Sequence, residues 1–208
     1  MKVNNWVERQ LIDDVMIKHS PDPPAPKDLA ESIATSRLSG NDINKRREDR
    51  HFGIHITRDG TWHYQGSPIK RMALVKLFAT VISRDPKGEF WLVTPVERGR
   101  IDVDDAPFVA VEVKVKGSGR ATRLTFRTNL DDEIVASNEH PIRIEVNLLS
   151  EEPSPYIHVR DNLEALIARS VYYELVELAE QVALENEVEL QIWSEGKMFC
   201  LGKVPLEE

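Results

Sequence analysis

Apolar residues recur at every second position along much of this chain, and a period of two commits a segment to strands with one buried face. Phe52, Ile54 and Ile56 alternate with His51, Gly53, His55 and Thr57. Val109, Val111, Val113 and Val115 alternate with Ala110, Glu112, Lys114 and Lys116, and Ile142, Ile144, Val146 and Leu148 repeat the pattern. A chain dominated by such runs must build sheets, and the turns between the runs decide which side chains meet.

At Asp59-Gly60 two loop lengths compete. A two-residue loop pairs Thr57 with Trp62 and sets His63 beside Ile56. A three-residue loop, Arg58-Asp59-Gly60 with Gly60 in the left-handed position of a G1 bulge, pairs Ile56 with Trp62 and Ile54 with Tyr64. The second register unites the apolar groups and makes His55 and His63 cross-strand neighbours. By the same logic a tight turn at Ser118-Gly119 pairs Val113 with Leu124 and Val111 with Phe126. Gly117-Ser118-Gly119 is therefore a hairpin turn and not a phosphate loop, because a third glycine and a following helix are missing. Asp85-Pro86-Lys87-Gly88 has type I turn composition, and Phe90–Val93, apolar without alternation, reads as a strand covered on both faces. The last hairpin joins Leu190–Trp193 to Met198–Leu201 through a three-residue loop, Ser194-Glu195-Gly196, and sets Cys200 opposite Leu190.

Two helices are expected in this region. Ser67 as N-cap with Pro68 at the first helical position starts one that runs to about Ser83 and buries Leu74, Leu77, Phe78, Val81 and Ile82. Asp161, with Glu164 three residues on, caps the other, lined by Leu163, Leu166, Ile167, Val171, Leu175, Leu178 and Val182. Residues 130–140 read as a polar loop, followed by the strand at 142–148 and a short one at Ile157 and Val159. Residues 52–103 thus give strand, strand, helix, strand, strand, and residues 142–201 give the same order. The expected fold is α+β, two similar β-β-α-β-β units related by a degenerate internal duplication, about 51–130 and 141–202, with mostly antiparallel sheets. Residues 1–50 stand apart as a helical and Pro-rich extension. Asn5 can cap a short helix carrying Val7, Leu11, Ile12, Val15 and Met16. Four prolines fall between Ser20 and Pro26, and a second short helix fits Asp28 to Leu38.

Composition narrows the function classes. Among 208 residues, 27 are Lys or Arg and 35 are Asp or Glu, a formal net charge of −8, which disfavours a general nucleic-acid binder. The surplus is local, since residues 145–208 hold 14 acidic and 4 basic side chains. Much of it is expected on the outer face of the last helix, at Glu164, Glu174, Glu177 and Glu180. One cysteine rules out a disulfide framework and a cysteine-built zinc site, and suits a reducing cytoplasm. No apolar run reaches ten residues, so neither a membrane span nor a secretion signal is expected.

The runs DGTWHYQGSPI at 59–69, LVTPVERGRIDVDDAPF at 92–108, FRTNLDD at 126–132, PYIHVRDNLEALI at 155–167 and YYELVELA at 172–179 resemble a bacterial domain of unknown function, the family numbered twelve eighty-five. The resemblance spans roughly residues 52–201. It implies an α+β fold with a repeated structural motif and carries no established activity, signal transduction having been only suggested for the family.

Each candidate site has a structural reading beside the functional one. Trp62, Tyr64 and Arg71 can form a mouth in which aromatic walls and a guanidinium hold an anionic ligand, although aromatics on an alternating face more often pack the core. Thr94, Glu97 and Asp105 sit where strands emerge into loops. Their carboxylates can bind a ligand or a metal or act as acid and base, while Asp105 ahead of Ala106-Pro107 also suits an Asx turn. Arg127 and Asn129 end a strand, and Arg127 should pair with Glu112. His55 and His63 are the metal candidate, but lack a third protein ligand. No metal or cofactor is therefore expected, and Cys200 reads as a buried small side chain without a base to activate it. The favoured function is a cytoplasmic module that binds a small anionic molecule, or a peptide or protein partner, between the two units, in signal transduction. The alternatives are a small metal-dependent or acid/base enzyme using Glu97 and Asp105, and a structural or assembly protein.

Overall fold

The hairpin around Gly60 forms in the register that unites its apolar groups: Ile56 pairs with Trp62, His55 with His63 and Ile54 with Tyr64. A computed structural model describes residues 50–95, 97–146 and 152–205. The expected helices before residue 50 and the strand position Leu148 lie outside the described residues. Strands β1 (Arg50–Ile56), β2 (Trp62–Tyr64) and β3 (Ser67–Pro68) lead to helix α1 (Met72–Ala79), and then to β4 (Ile82–Arg84), β5 (Phe90–Val93) and β6 (Arg98–Val103). These six strands make one sheet in the order β3-β2-β1-β6-β5-β4. Strands β7 (Phe108–Lys116), β8 (Arg123–Thr128), β9 (Glu133–Val135), β10 (Ile142–Val146), β11 (Pro153–Arg160) and β12 (Leu163–Ile167) make a second, in the order β10-β11-β12-β7-β8-β9. Helix α2 (Arg169–Leu178) then leads to a third sheet of β13 (Glu180–Ala183), β14 (Glu187–Ser194) and β15 (Lys197–Pro205).

The two six-stranded sheets share one wiring. Each consists of two three-stranded antiparallel meanders joined along a central parallel pair, β1 with β6 in the first and β7 with β12 in the second. The fold is α+β with mixed sheets, but a duplicated β-β-α-β-β unit is not confirmed. In the first sheet α1 connects β3 to β4, whereas β9 reaches β10 without a helix and α2 follows the sixth strand. Within the described residues, no helix is long and apolar enough to cross a membrane.

Several local expectations are corrected. Ser67-Pro68 does not start α1. Gln65 and Gly66 both take positive φ, 48° and 78°, in a tight turn that returns Ser67 opposite Tyr64 and Pro68 opposite His63. Proline is tolerated there because β3 is an edge strand. The helix stops at Ala79, where Thr80 donates from its hydroxyl to the Leu77 carbonyl at 2.7 Å, and Ile82 belongs to β4. Glu133–Val135 form β9 in place of a loop.

Residues 163–167 are a strand and not the first turns of a helix. Leu163, Ala165 and Ile167 are buried, with Glu164 and Leu166 between them less so, a period of two that fills the place beside β7. Asp161 takes φ 47° in the β11–β12 turn instead of capping, and the helix spans Arg169–Leu178, with Val182 on β13. In the β7–β8 hairpin Val113 pairs with Phe126 and Val115 with Leu124. That slip of two residues arises at the turn, which a single 3₁₀ turn at Gly119–Ala121 lengthens; a bulge at Val111 lies beyond these pairs, and Val111 and Val115, expected on the buried face, are exposed while Ala110 is buried. The last hairpin turns on Glu195-Gly196 alone, because Ser194 pairs with Lys197; that two-residue turn sets Cys200 opposite Gln191, and a bulge beyond this pair brings Gly202 opposite Leu190.

One apolar core runs through all three sheets and both helices. Ile54, Ile56, Trp62, Phe78 and Leu92 enter it from the first sheet and α1, Phe108, Leu124, Phe126, Ile157 and Ile167 from the second, and Leu175, Phe199 and Leu201 from α2 and the third. The sheets are also stitched by polar groups. Ser194 donates to the Ala136 carbonyl at 2.7 Å and accepts from the Leu124 amide at 3.0 Å, and the Tyr172 hydroxyl donates to the Leu201 carbonyl at 2.7 Å. Gly60, at φ 82°, meets Asn129 so closely that a Cβ there would lie 2.5 Å from the Asn129 amide nitrogen. Gly66 shares the positive φ but has open space around it. Gly66→Ala should therefore cost about 1 kcal/mol of backbone strain, and Gly60→Ala about 2 to 3 kcal/mol because the sheets must also part. Equilibrium urea unfolding of the two variants checks the ordering, and equal losses would show that the close approach contributes nothing.

Candidate ligand-binding site

The chain passes from the first sheet to the second through Asp104-Asp105-Ala106-Pro107, between the ends of β6 and β7. Asp105 is mostly buried there and makes no Asx turn. Its Oδ1 accepts from the Tyr156 hydroxyl at 2.8 Å, and its Oδ2 lies 3.2 Å from Nε of Arg58, which also reaches the Ser154 hydroxyl at 3.2 Å. Tyr156 lies opposite Arg143 in the β10–β11 register, and the Arg143 guanidinium stacks 4.5 Å over its ring. Arg143 then forks onto Glu164 of β12 through Nε and a terminal nitrogen, at 2.9 and 2.7 Å, and its other terminal nitrogen meets Glu145 at 2.7 Å.

These groups line a cleft of about 170 Å³ together with Arg84, Phe90, Ala106, Pro107 and Asn162. Arg84 and Phe90 come from the first sheet, and Arg143, Glu145, Tyr156 and Glu164 from the second. Electrostatics within the cleft follow the geometry. The Arg143 fork holds the Glu164 carboxyl below the usual carboxylate range, and Glu164 in turn raises Arg143 further. Burial first, and then the bond to Asp105, pushes the Tyr156 phenol up to about 12. Arg84 differs from its neighbours. It lies 5.2 Å from the Phe90 ring and donates only a long 3.4 Å bond from Nε to the Gly88 carbonyl. Its terminal guanidinium nitrogens have no hydrogen-bond partner among the described residues.

The eight residues proposed from sequence are dispersed. Asp105 lines the cleft. Trp62 is 2% exposed, belongs to the core and leaves its indole nitrogen buried without a partner. Tyr64 accepts from Gln65 at 3.3 Å, and Arg71 occupies the position before α1. Thr94 and Glu97 close the β5–β6 turn on each other, with Thr94 Oγ1 accepting from the Glu97 amide at 2.9 Å. The Glu97 carboxyl lies 4.0 Å from Arg50, and its Oε2 is buried and unpaired. Glu97 and Asp105 flank opposite ends of β6, separated by roughly 25 Å of extended chain, so they cannot share one reacting group. Arg127 pairs with Glu112 at 2.7 Å as its strand position implies, and also with Asp131 at 3.3 Å. Asn129 bridges the sheets, Oδ1 accepting from the Val109 amide at 3.0 Å and Nδ2 donating to the Gly60 carbonyl at 3.1 Å.

His55 and His63 do face each other, with ring centres 6.2 Å apart. Each histidine of β1 pairs with an aspartate beside it, His55 with Asp104 at 2.7 Å and His51 with Asp102 at 3.1 Å. Among the described residues no three His, Cys, Asp or Glu side chains are grouped to hold a metal. Cys200 is half-buried, its thiol donates to the Gly202 carbonyl, and burial raises its pKa. A larger hollow of about 360 Å³ lies between α1 and the second sheet, lined by Lys76, Ala79, Thr80, Leu130, Asp132 and Arg160. Both of its cations are engaged, Lys76 by Asp131 at 2.7 Å and Arg160 by the carbonyl that ends α1.

Arg84, Arg143, Glu145, Tyr156, Asn162 and Glu164 escaped the sequence reading. Treating 161–167 as a helix start removed Asn162 and Glu164 from the sheet, although Leu163, Ala165 and Ile167 carry a period of two. Arg143 and Glu145 were legible as the polar face of the strand at 142–148, but only the fold sets them opposite Arg84.

Fold and cleft together define a mixed α+β protein in which two like-wired six-stranded sheets contribute to one polar cleft beside their crossing. Models of the DUF1285 N-terminal domain, a domain of unknown function, and of the DUF1285 C-terminal domain, from a protein of unknown function, match residues 45–106 and 107–201 respectively. The chain belongs to the DUF1285 family. The junction of the two matches falls on Ala106-Pro107, where the first sheet gives way to the second. A crystal structure of a DUF1285 family protein from Silicibacter pomeroyi DSS-3 is similar at 41% identity and a TM-score of 0.70, covering 86% of this chain and 94% of that one. A second, from Shewanella baltica OS155, has 24% identity and a TM-score of 0.48, covering 62% of this chain and 93% of that one. Among curated proteins no significant match is found.

The environment of Tyr156 sets a pH signature. Its folded pKa of about 12 stands above the ordinary 10.0, so the neutral phenol is favoured in the folded state. That contribution is complete below pH 10 and is lost as pH rises towards 12. Ultraviolet titration should show one tyrosine ionising near pH 12 in the native protein, and Asp105→Asn should bring that step down. An unchanged step in the variant would show that burial alone sets the value.

Proposed function

We propose that the chain is a binding module, not a catalyst, and that its ligand is a small molecule carrying an anionic group seated on Arg84 in the cleft between the two six-stranded sheets. The observation that carries this reading is the contrast between Arg84 and the groups around it. Arg143, Glu164, Asp105 and Tyr156 already satisfy one another, whereas the Arg84 guanidinium makes one long bond of 3.4 Å from Nε and its terminal nitrogens bond to none of the described residues, which leaves planar donors of the kind that recognise carboxylate or phosphate. A cleft lined from both sheets also lets occupancy influence their relative placement, as a role in signal transduction requires. The lone half-buried Cys200 suits the reducing cytoplasm in which this reading places the protein. An acid/base enzyme using Glu97 and Asp105 gains no support, because those carboxylates sit at opposite ends of β6 and Asp105 is held by two donors.

A ligand present at a hundred times its Kd stabilises the native state by about 2.7 kcal/mol, or roughly 5 to 10 °C in Tm for a chain of this size. Thermal denaturation with a panel of small carboxylates, phosphates and amino acids should give such a shift for at least one compound, and Arg84→Gln should abolish it while leaving the unliganded Tm within about 1 °C, as expected for a weakly partnered surface group. No shift with any compound, or a shift that survives the substitution, would remove Arg84 and its cleft from consideration.

A further inference from the structure

Resting on that reading of the cleft, we infer that the ligand is a zwitterion, a free amino acid or similarly short amino-carboxylate, bound by its carboxylate to Arg84 and by its ammonium to Glu145. Charge limits the ligand. Arg84, Arg143 and Arg58, the last engaged by Asp105, stand against Asp105, Glu145 and Glu164, three guanidiniums against three carboxylates, so a dianion such as phosphate leaves negative charge uncompensated in the cleft where a zwitterion leaves the balance unchanged.

Only one carboxylate of the cleft is incompletely engaged. Both oxygens of Glu164 receive Arg143, and both oxygens of Asp105 have partners in Tyr156 and Arg58. Glu145 meets Arg143 through Oε2 and is 62% exposed, and among the described residues its Oε1 has no hydrogen-bond partner, which leaves it an acceptor for a cation at the rim. One unfilled donor fork and one unfilled acceptor in a single cleft call for a ligand with one acid and one base. The volume of about 170 Å³ is well below the roughly 300 to 1,000 Å³ of pockets that hold drug-sized ligands. A cleft of that size suits a ligand as short as an amino acid better than a peptide whose charged ends lie far apart.

Matched probes separate this inference from the reading beneath it. Each of the twenty amino acids, β-alanine and γ-aminobutyrate is titrated calorimetrically into the full chain. The best binder is then compared with its N-acetyl derivative, which keeps the anion, and its carboxamide, which keeps the cation. The expected result is a free amino acid that binds at least tenfold more tightly than either derivative. Glu145→Gln should reduce it to the affinity of the N-acetyl form without weakening that form, and Arg84→Gln should abolish both. An N-acetyl derivative, acetate or phosphate binding as well as the free amino acid, with loss on Arg84→Gln, would overturn the zwitterion and leave an anion site. A peptide that binds as tightly as the free amino acid overturns the size argument. Binding of none of these probes to the wild-type chain overturns the zwitterion and the cleft together.

Discussion

Asn129 locks the two six-stranded sheets in register with each other. Its Oδ1 accepts from the Val109 amide, its Nδ2 donates to the Gly60 carbonyl, and its own backbone amide donates to the Val109 carbonyl at 2.7 Å. One side chain therefore satisfies a β7 amide of the second sheet and a turn carbonyl of the first, a task that needs an acceptor and a donor on the same group. An aspartate offers only acceptors and would face the Gly60 carbonyl with like charge density. The contact also fixes the residue at position 60, because any Cβ there collides with the amide. The crossing at 104–107 lies between the same two sheets, so the distance from Asp105 to Tyr156, and with it the shape of the cleft, follows from how this lock sets one sheet against the other.

The cleft is stiff on one wall and unfilled on the other. From Glu164 through Arg143 and Tyr156 to Asp105 and Arg58, each polar group is held by the next, and the Arg143 fork is bidentate. Such a wall requires little reordering when a ligand arrives, which preserves affinity that a floppier site would lose to side-chain entropy. Arg84 stands at the opposite wall on a three-residue edge strand, placed by the turn at Asp85–Gly88. That turn is itself well fixed, since Asp85 accepts from the amides of Lys87 and Glu89, both at 2.9 Å, and from the Trp91 indole at 3.2 Å. The Arg84 guanidinium is thus held by Phe90 and by one long bond to the Gly88 carbonyl, with its terminal nitrogens unbonded among the described residues.

Local pattern was enough to locate the hairpins and to read one register, while those of β7–β8 and β14–β15 differ from the expectation because turn length is not fixed by composition. The β1–β2 register follows from demanding that Ile54, Ile56, Trp62 and Tyr64 share a face, and the Arg127–Glu112 pair follows from strand parity. The remaining failures share a cause. Leu163, Leu166, Ile167, Val171 and Leu175 fit a helical stripe as well as Leu163, Ala165 and Ile167 fit a strand, and what settles the choice is the vacant place beside β7, more than fifty residues away. The Ser67-Pro68 pair carries genuine helix-start chemistry, but Gln65-Gly66 turns the chain first. Neither parallel pair, β1 with β6 or β7 with β12, has a local signature, so the common wiring of the two sheets stayed hidden behind an apparent repeat of a different unit. The cleft was illegible for the same reason, since Arg84 and Arg143 belong to different sheets. Trp62, the most conspicuous candidate, is a core residue.

The acidity of the last third of the chain acquires a physical meaning from these pairings. As sequence alone it fits a solvated helix face that includes Glu164. In the structure Glu164 and Glu145 belong to Arg143, Glu195 meets Arg123 at 2.9 Å, and Glu187 pairs with Lys203. Two of these cations, Arg123 and Arg143, precede the acidic stretch, so part of the surplus answers basic groups on β8 and β10. Exposed ion pairs of this kind contribute little stability each, and their effect is better sought in which strands sit beside which. In the cleft the matching leaves one oxygen of Glu145 and the terminal nitrogens of Arg84 without a hydrogen-bond partner among the described residues, and those two groups come from different sheets.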